Sequence, residues 1–132
     1  MRIIADTNLL VRIVANDDPR QSAAARQAVI DAQVVVVPTV ALCEACWVLS
    51  ARYRLNKAEL RQVITQIFQV CNTLLDDGAV TAGLAVLDAG GDFADGVIAQ
   101  TGTAAGGNTF VTFDKKAAKL VAKTGIATQL LK

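Results

Sequence analysis

The chain has 132 residues, 53% of them hydrophobic, with 13 Lys and Arg against 12 Asp and Glu for a formal net charge of +1. That length supports one hydrophobic core and excludes two domains of ordinary size, so a single domain over residues 1–132 is expected. Histidine is absent, which removes the commonest general base, every Ser-His-Asp arrangement and all His-bearing metal sites.

From the N-terminus, Arg2 to Ala5 reads as a short buried strand and Thr7 to Ala15 switches to helical spacing. Asp17-Asp18-Pro19 is a turn or helix-start signal, and a second helix runs to about Ala32. Gln33 to Val37 is a β-branched run closed by Pro38, which fits a parallel strand covered on both faces. Two helices follow, about Thr39 to Arg54 and Lys57 to Cys71, with Asn56 as cap of the second. A strand around Thr73 to Leu75 leads to an Asp76-Asp77-Gly78 turn and a helix from about Ala79 to Ala89. After Gly90-Gly91 comes a helix over Phe93 to Ala104, and after Gly106-Gly107-Asn108 a strand over Thr109 to Phe113. Lys115 to Lys123 is a helix stopped by Gly125, and the last strand lies near Ile126 to Leu130. This alternation predicts an α/β domain, a three-layer α/β/α arrangement around a central, mainly parallel sheet of four to five short strands.

The most apolar stretch, Val34 to Cys43, contains Pro38 and Thr39 and stops at Glu44, far short of the ~18 residues of a membrane span. With no signal peptide in view, a cytoplasmic protein is expected. Mean hydropathy is +0.41, which fits either an alanine-rich core or a surface partly hidden by a partner or a second copy. Cys43, Cys46 and Cys71 are odd in number, and the CxxC of the first two lies inside an apolar helical run, so they read as core cysteines.

The acids carry more information. Glu44 is the only charged residue between Pro38 and Arg52, on a helix that looks apolar all round, and a carboxylate buried there would need a distant cation, backbone amides or a metal. Asp6 follows the first strand, in Asp6-Thr7-Asn8, and Asp114 follows the strand Val111-Thr112-Phe113; both sit where ligands gather in parallel sheets, and both could equally be helix caps. Asp92 and Asp95 flank a helix start at i, i+3 spacing; Asp92, after Gly-Gly, fits the cap, and Asp95 the metal-facing role. Carboxylates gathered at one sheet edge repel one another, and a hard divalent cation, Mg²⁺ or Mn²⁺, is the usual remedy, with Asn8 and Thr112 adding neutral oxygens.

Taken together, Asp6-Thr7-Asn8 after the first strand, Glu44 on a mid-chain helix, DFADGVIAQTG carrying Asp95 and VTFDKKAAKL carrying Asp114 resemble the PIN domain over essentially the whole chain. Within that superfamily the chain looks like the VapC and FitB toxins. The resemblance implies that Asp6, Glu44, Asp95 and Asp114 are a catalytic, metal-binding quartet, with Asp92, Asn8 and Thr112 accessory. One departure is Gln100-Thr101-Gly102, where relatives often continue with alanines. The implied activity is that of an endoribonuclease using Mg²⁺ or Mn²⁺ to activate water, the toxin of a VapBC-type pair. Its implied partners are an RNA substrate, a cognate antitoxin whose tail enters the acidic groove, and a second copy in a homodimer, whose surface is expected on the helices from Thr39 to Cys71.

Setting aside Asp6, Glu44, Asp92, Asp95 and Asp114, the 13 basic residues face seven acids, a balance of +6 for the rest of the surface. Arg12, Arg20, Arg26, Lys115, Lys116 and Lys119 are candidate RNA-phosphate contacts, or else solvated helix faces. The lone Tyr53 and Trp47 offer no evident stacking platform, so recognition by shape is expected. Three alternatives remain: a PIN-fold RNA-processing nuclease outside a toxin–antitoxin system, a metal-dependent small-molecule phosphohydrolase, and a non-catalytic RNA- or partner-binding module. Asn8 opposes the second, since haloacid-dehalogenase-like enzymes need an acid there, and the presence of all four acids opposes the third.

Overall fold

The structure is a computed structural model that describes residues 1–70 and 72–132; the readings made for Cys71 fall outside the described residues. Among the described residues there are seven helices and five strands, which group into two compact units, Met1–Asp76 and Asp77–Lys132.

In the first unit the order is β1 (Arg2–Ile4), α1 (Thr7–Val14), α2 (Pro19–Asp31), β2 (Val34–Val36), α3 (Thr39–Ala51), α4 (Lys57–Gln69) and β3 (Thr73–Leu74). Its strands pair in parallel in the order β1-β2-β3, with Ile3 opposite Val35 and Val35 opposite Thr73. Leu10, Val11, Val35, Val37, Leu42, Leu49, Leu60 and Ile64 are buried, the periodic apolar positions of the helices closing over the β-branched centre of β2. Asn56 caps α4 in a reciprocal capping box with Glu59. The C-terminal end of α2, which has no glycine stop, is tied down from 40 residues away: the Asn72 amide donates to the carbonyls of Val29 and Ala32, both at 3.1 Å.

In the second unit the order is α5 (Asp77–Asp88), α6 (Phe93–Ala104), β4 (Thr109–Thr112), α7 (Lys115–Lys123) and β5 (Ala127–Leu130), with β4 and β5 parallel and Val111 opposite Gln129. Ala79, Val80, Val86, Leu87, Phe93, Val97, Leu120 and Val121 form its core. Helices α5 and α6 touch backbone to backbone: a Cβ at Gly96 would run into the Ala82 carbonyl oxygen and lie 2.7 Å from Gly83 Cα. Glycine is required there by space, not by backbone angle.

The α/β class and the parallel pairing are as the sequence indicates, and the hydrogen bonds divide the strands three and two, one set in each unit. Most boundaries shift by a residue or two, and two of the differences have a plain physical reason. Helix α3 stops at Ala51 instead of running to Arg54, because Arg54 takes a left-handed φ of 57° and the Leu55 N–H returns to the Leu49 carbonyl. The expected Asp76-Asp77-Gly78 turn is instead the start of α5, where Asp77 in the first turn complements the positive end of the helix dipole. Among the described residues no helix is long and apolar enough to cross a membrane.

Candidate functional site

Asp6 and Asp114 occupy the same local position, one residue beyond the end of a parallel strand and at the N-cap of the next helix. Asp6 Oδ1 accepts the Leu9 N–H at 2.8 Å, and Asp114 Oδ1 accepts the Ala117 N–H at 3.0 Å. Capping uses one oxygen of each carboxylate and leaves Oδ2 outside the cap, on residues that are exposed. Cap and ligand are therefore compatible roles for these two acids.

Thr112 stands beside Asp114 through its side chain as well as in sequence. Its hydroxyl oxygen accepts the Asp114 N–H at 3.0 Å and so fixes the backbone from which that carboxylate projects. Asn8 lies exposed in the first turn of α1.

The reading of Glu44 as a buried carboxylate is corrected by the structure, which exposes it. Ala41, Leu42, Ala45, Cys46 and Leu49 alone make the buried arc of α3, while Val40 stands 76% exposed and Trp47 65% exposed on the arc that carries Glu44. Its neighbours are apolar, but they are in water too, so no desolvation penalty demands a partner.

Asp95 is different. It lies in the first turn of α6 and is half-buried. Burial, reinforced by the charges of Asp92 and Asp114, pushes its carboxyl above the usual carboxylate range. Asp92 occupies the cap position as expected, yet its side chain makes no capping hydrogen bond; its backbone carbonyl accepts the Asp95 N–H at 3.1 Å. Three acids of the second unit thus share one electrostatic neighbourhood. Among the described residues, no three Cys, Asp or Glu side chains are gathered closely enough to form a finished metal cage.

The basic candidates divide by what holds them. Arg12 Nη1 forms an ion pair with Asp17 Oδ1 at 2.7 Å, and the Tyr53 hydroxyl donates to Asp17 Oδ2 at 2.8 Å. The Tyr53 hydrogen bond, with the Arg12 charge behind it, lowers the Asp17 carboxyl below its ordinary value. Arg26 Nη2 donates to the Ile13 carbonyl at 3.4 Å. Arg20, Lys115, Lys116 and Lys119 are exposed on α2 and α7. Nothing near Tyr53 in sequence announces its bond to Asp17, 36 residues away; its being the chain's single tyrosine was the only signal. Cys46 is buried and Cys43 half-buried, both as free thiols. Burial, with Cys43 adjacent, pushes the Cys46 thiol up to about 12, and burial raises Cys43 as well, so neither is an activated nucleophile.

Compared with known families, residues 3–123 match the model described as PIN domain. No curated protein matches the chain.

Proposed function

The chain belongs to the PIN-domain family, whose members are generally nucleases and typically use divalent metal ions, and on that premise we propose that it is a metal-dependent endoribonuclease in which Asp6, Glu44, Asp95 and Asp114 are the metal-binding and catalytic acids. The observation that carries this reading is Asp95: a half-buried carboxylate held beside two like charges is disfavoured as it stands, and a hard divalent cation on carboxylate oxygens relieves that repulsion. The donor set fits Mg²⁺ or Mn²⁺, being all carboxylate, with no histidine in the chain and neither described thiol activated.

Within this reading each residue has a separate task. Asp6 and Asp114 are pre-oriented by their caps, each presenting Oδ2 from a fixed helix start. Thr112 sets the backbone of Asp114. Asp92 strengthens the negative field at Asp95 and so its demand for a cation. When bound, a divalent ion supplies the activated water and the neutralisation of phosphodiester charge. Arg20, Lys115 and Lys116 are exposed cations suited to RNA phosphates, whereas Arg12 is engaged with Asp17.

The likeness of the motif set to VapC and FitB extends the proposal to a toxin acting in the cytoplasm as a homodimer and restrained by an antitoxin. A gene for a small antitoxin beside this one, and co-purification of the two products, would support that part.

The test is cleavage of a mixed pool of cellular RNAs by the purified chain with Mg²⁺ or Mn²⁺, with EDTA, and as Asp6→Asn. Asparagine is as good a cap as aspartate, so this variant removes the charge and keeps the helix start. Cutting that needs metal and falls by about a hundredfold or more in Asp6→Asn is expected. Undiminished cutting by Asp6→Asn, or none from well-folded protein, would overturn the proposal.

A further inference from the structure

On α3 the exposed stripe runs Val40, Glu44, Trp47 and Ala51, the i, i+4, i+7, i+11 spacing of one helix face, and all four are exposed. The indole of Trp47 is 65% exposed and stands one turn from Glu44. The stripe ends in a basic turn: between residues 52 and 61, Arg52, Arg54, Lys57 and Arg61 are all exposed, and the one acid among them, Glu59, gives a carboxylate oxygen to the Asn56 N–H at 3.0 Å. This turn is anchored. Tyr53, between the two arginines, turns its hydroxyl away to Asp17, and the Leu55 N–H is tied to the Leu49 carbonyl. Arg54 is the one described residue other than glycine with a positive φ, 57°, a conformation that glycine holds with less strain.

We infer that this face of α3 is a single-stranded RNA site, in which Trp47 stacks one base next to the phosphate served by Glu44 and the Arg52–Arg54 turn holds backbone phosphates. Resting on the reading of Glu44 as a metal-site acid, it names a specificity-determining residue for that site. An exposed indole on a helix that ends in arginines is a combination that single strands use: any base has a face to stack, and the guanidinium groups take the phosphates. The occupant of this stripe is RNA; a second copy docking on α3 and α4 uses their other faces. Val40 and Trp47 are the only large apolar side chains on the stripe, too little for the core of an interface that buries ~1,600 Å². What lies at its end is positive charge, complementary to a polyanion. The sequence could not say that the tryptophan faces solvent, and this inference gives it the stacking role that the sequence did not suggest.

The experiment uses the full-length Asp6→Asn chain in EDTA, titrated with a short mixed-sequence single-stranded oligoribonucleotide. Trp47 is the only tryptophan, so intrinsic emission reports on this position alone. Saturable quenching by the oligonucleotide, and none by inorganic polyphosphate, is the expected result. With dye-labelled RNA, adding Trp47→Ala weakens binding about tenfold or more, the loss of one base stack. Arg52→Gln with Arg54→Gly lowers the slope of log K against log salt by about 1.4, roughly 0.7 for each phosphate contact. Glycine suits the φ of 57° at residue 54, and circular dichroism of the double variant checks that weakened binding does not arise from unfolding. RNA that binds, and is cut by the wild-type chain with metal, while Trp47 emission stays unchanged would overturn this inference alone. Emission already blue-shifted without RNA, in a particle with the mass of two chains, would assign the face to a second copy and overturn it too. No RNA binding and no cleavage by folded protein would remove the nuclease reading and the inference together.

Discussion

In Met1–Asp76 the acid borne by an apolar helix, Glu44 of α3, stands in water, whereas in Asp77–Lys132 its counterpart on α6, Asp95, is half-buried beside Asp92 and Asp114. Both helices are rich in apolar residues, so hydrophobic count alone does not set the environment of a carboxylate. The arc on which the acid lies does. The exposed arc of α3 carries Val40 and Trp47, 76% and 65% exposed, and Glu44 shares their exposure. On α6 the residue after Asp95 is Gly96, whose missing side chain lets the first turn press onto Ala82 and Gly83 of α5, and Asp95 in that turn is half-buried. The acids at strand ends show the opposite: Asp6 and Asp114, one in each unit, are set by the same kind of cap and are both exposed.

Breaking the α5–α6 contact is expected to give the larger effect. In Gly96→Ala the new methyl meets the Ala82 carbonyl and the Gly83 backbone, neither of which can turn aside, so stability falls by roughly 1–3 kcal/mol in urea unfolding. Glu44→Ala, on the exposed arc of α3, changes stability by no more than about 0.5 kcal/mol. Equal effects from the two substitutions would erase the distinction between the helices.

A smaller effect sharpens the electrostatic half of the comparison. Because the folded state raises the Asp95 carboxyl above its ordinary value, the folded chain holds the proton more tightly there than the unfolded chain. Asp95 therefore lowers stability as pH rises from the ordinary carboxylate value through its folded value. Asp95→Asn removes this slope and stabilises the metal-free protein at neutral pH by about 1 kcal/mol or less, since the group is only partly buried. Saturating Mg²⁺ reverses the order, stabilising the wild-type chain above the variant. Thermal unfolding in EDTA and in Mg²⁺ reads both; a variant less stable than wild type in EDTA would mean that Asp95 is not strained by its neighbours.

Much of the fold was legible because its signals are local. Gln33 to Val37 before Pro38, Asn56 as a cap, and the Gly125 stop each act within a few residues, and the elements they mark are present. Asp6 and Asp114 were legible for the same reason, as acids at the ends of β-branched strands. Other features depend on what lies across the chain. The exposure of Glu44 and Trp47 is decided by which arc of α3 the core selects, and a helix apolar on all sides does not reveal that choice. The Tyr53–Asp17–Arg12 cluster and the Asn72 tether span 36 and 40 or more residues, with no periodic pattern to announce them. Gly96 gave no hint of a backbone contact, since its reason is a neighbour on another helix.

The most direct test of the acidic quartet is Mn²⁺ binding followed by electron paramagnetic resonance in wild-type protein and in Asp6→Asn, Glu44→Gln, Asp95→Asn and Asp114→Asn, each checked for folding by circular dichroism. If the four acids serve one metal site, every substitution weakens Mn²⁺ by about tenfold or more, the scale of losing a ligand or its support. Wild-type affinity retained in Glu44→Gln or Asp6→Asn, with loss confined to Asp95→Asn and Asp114→Asn, would contradict it.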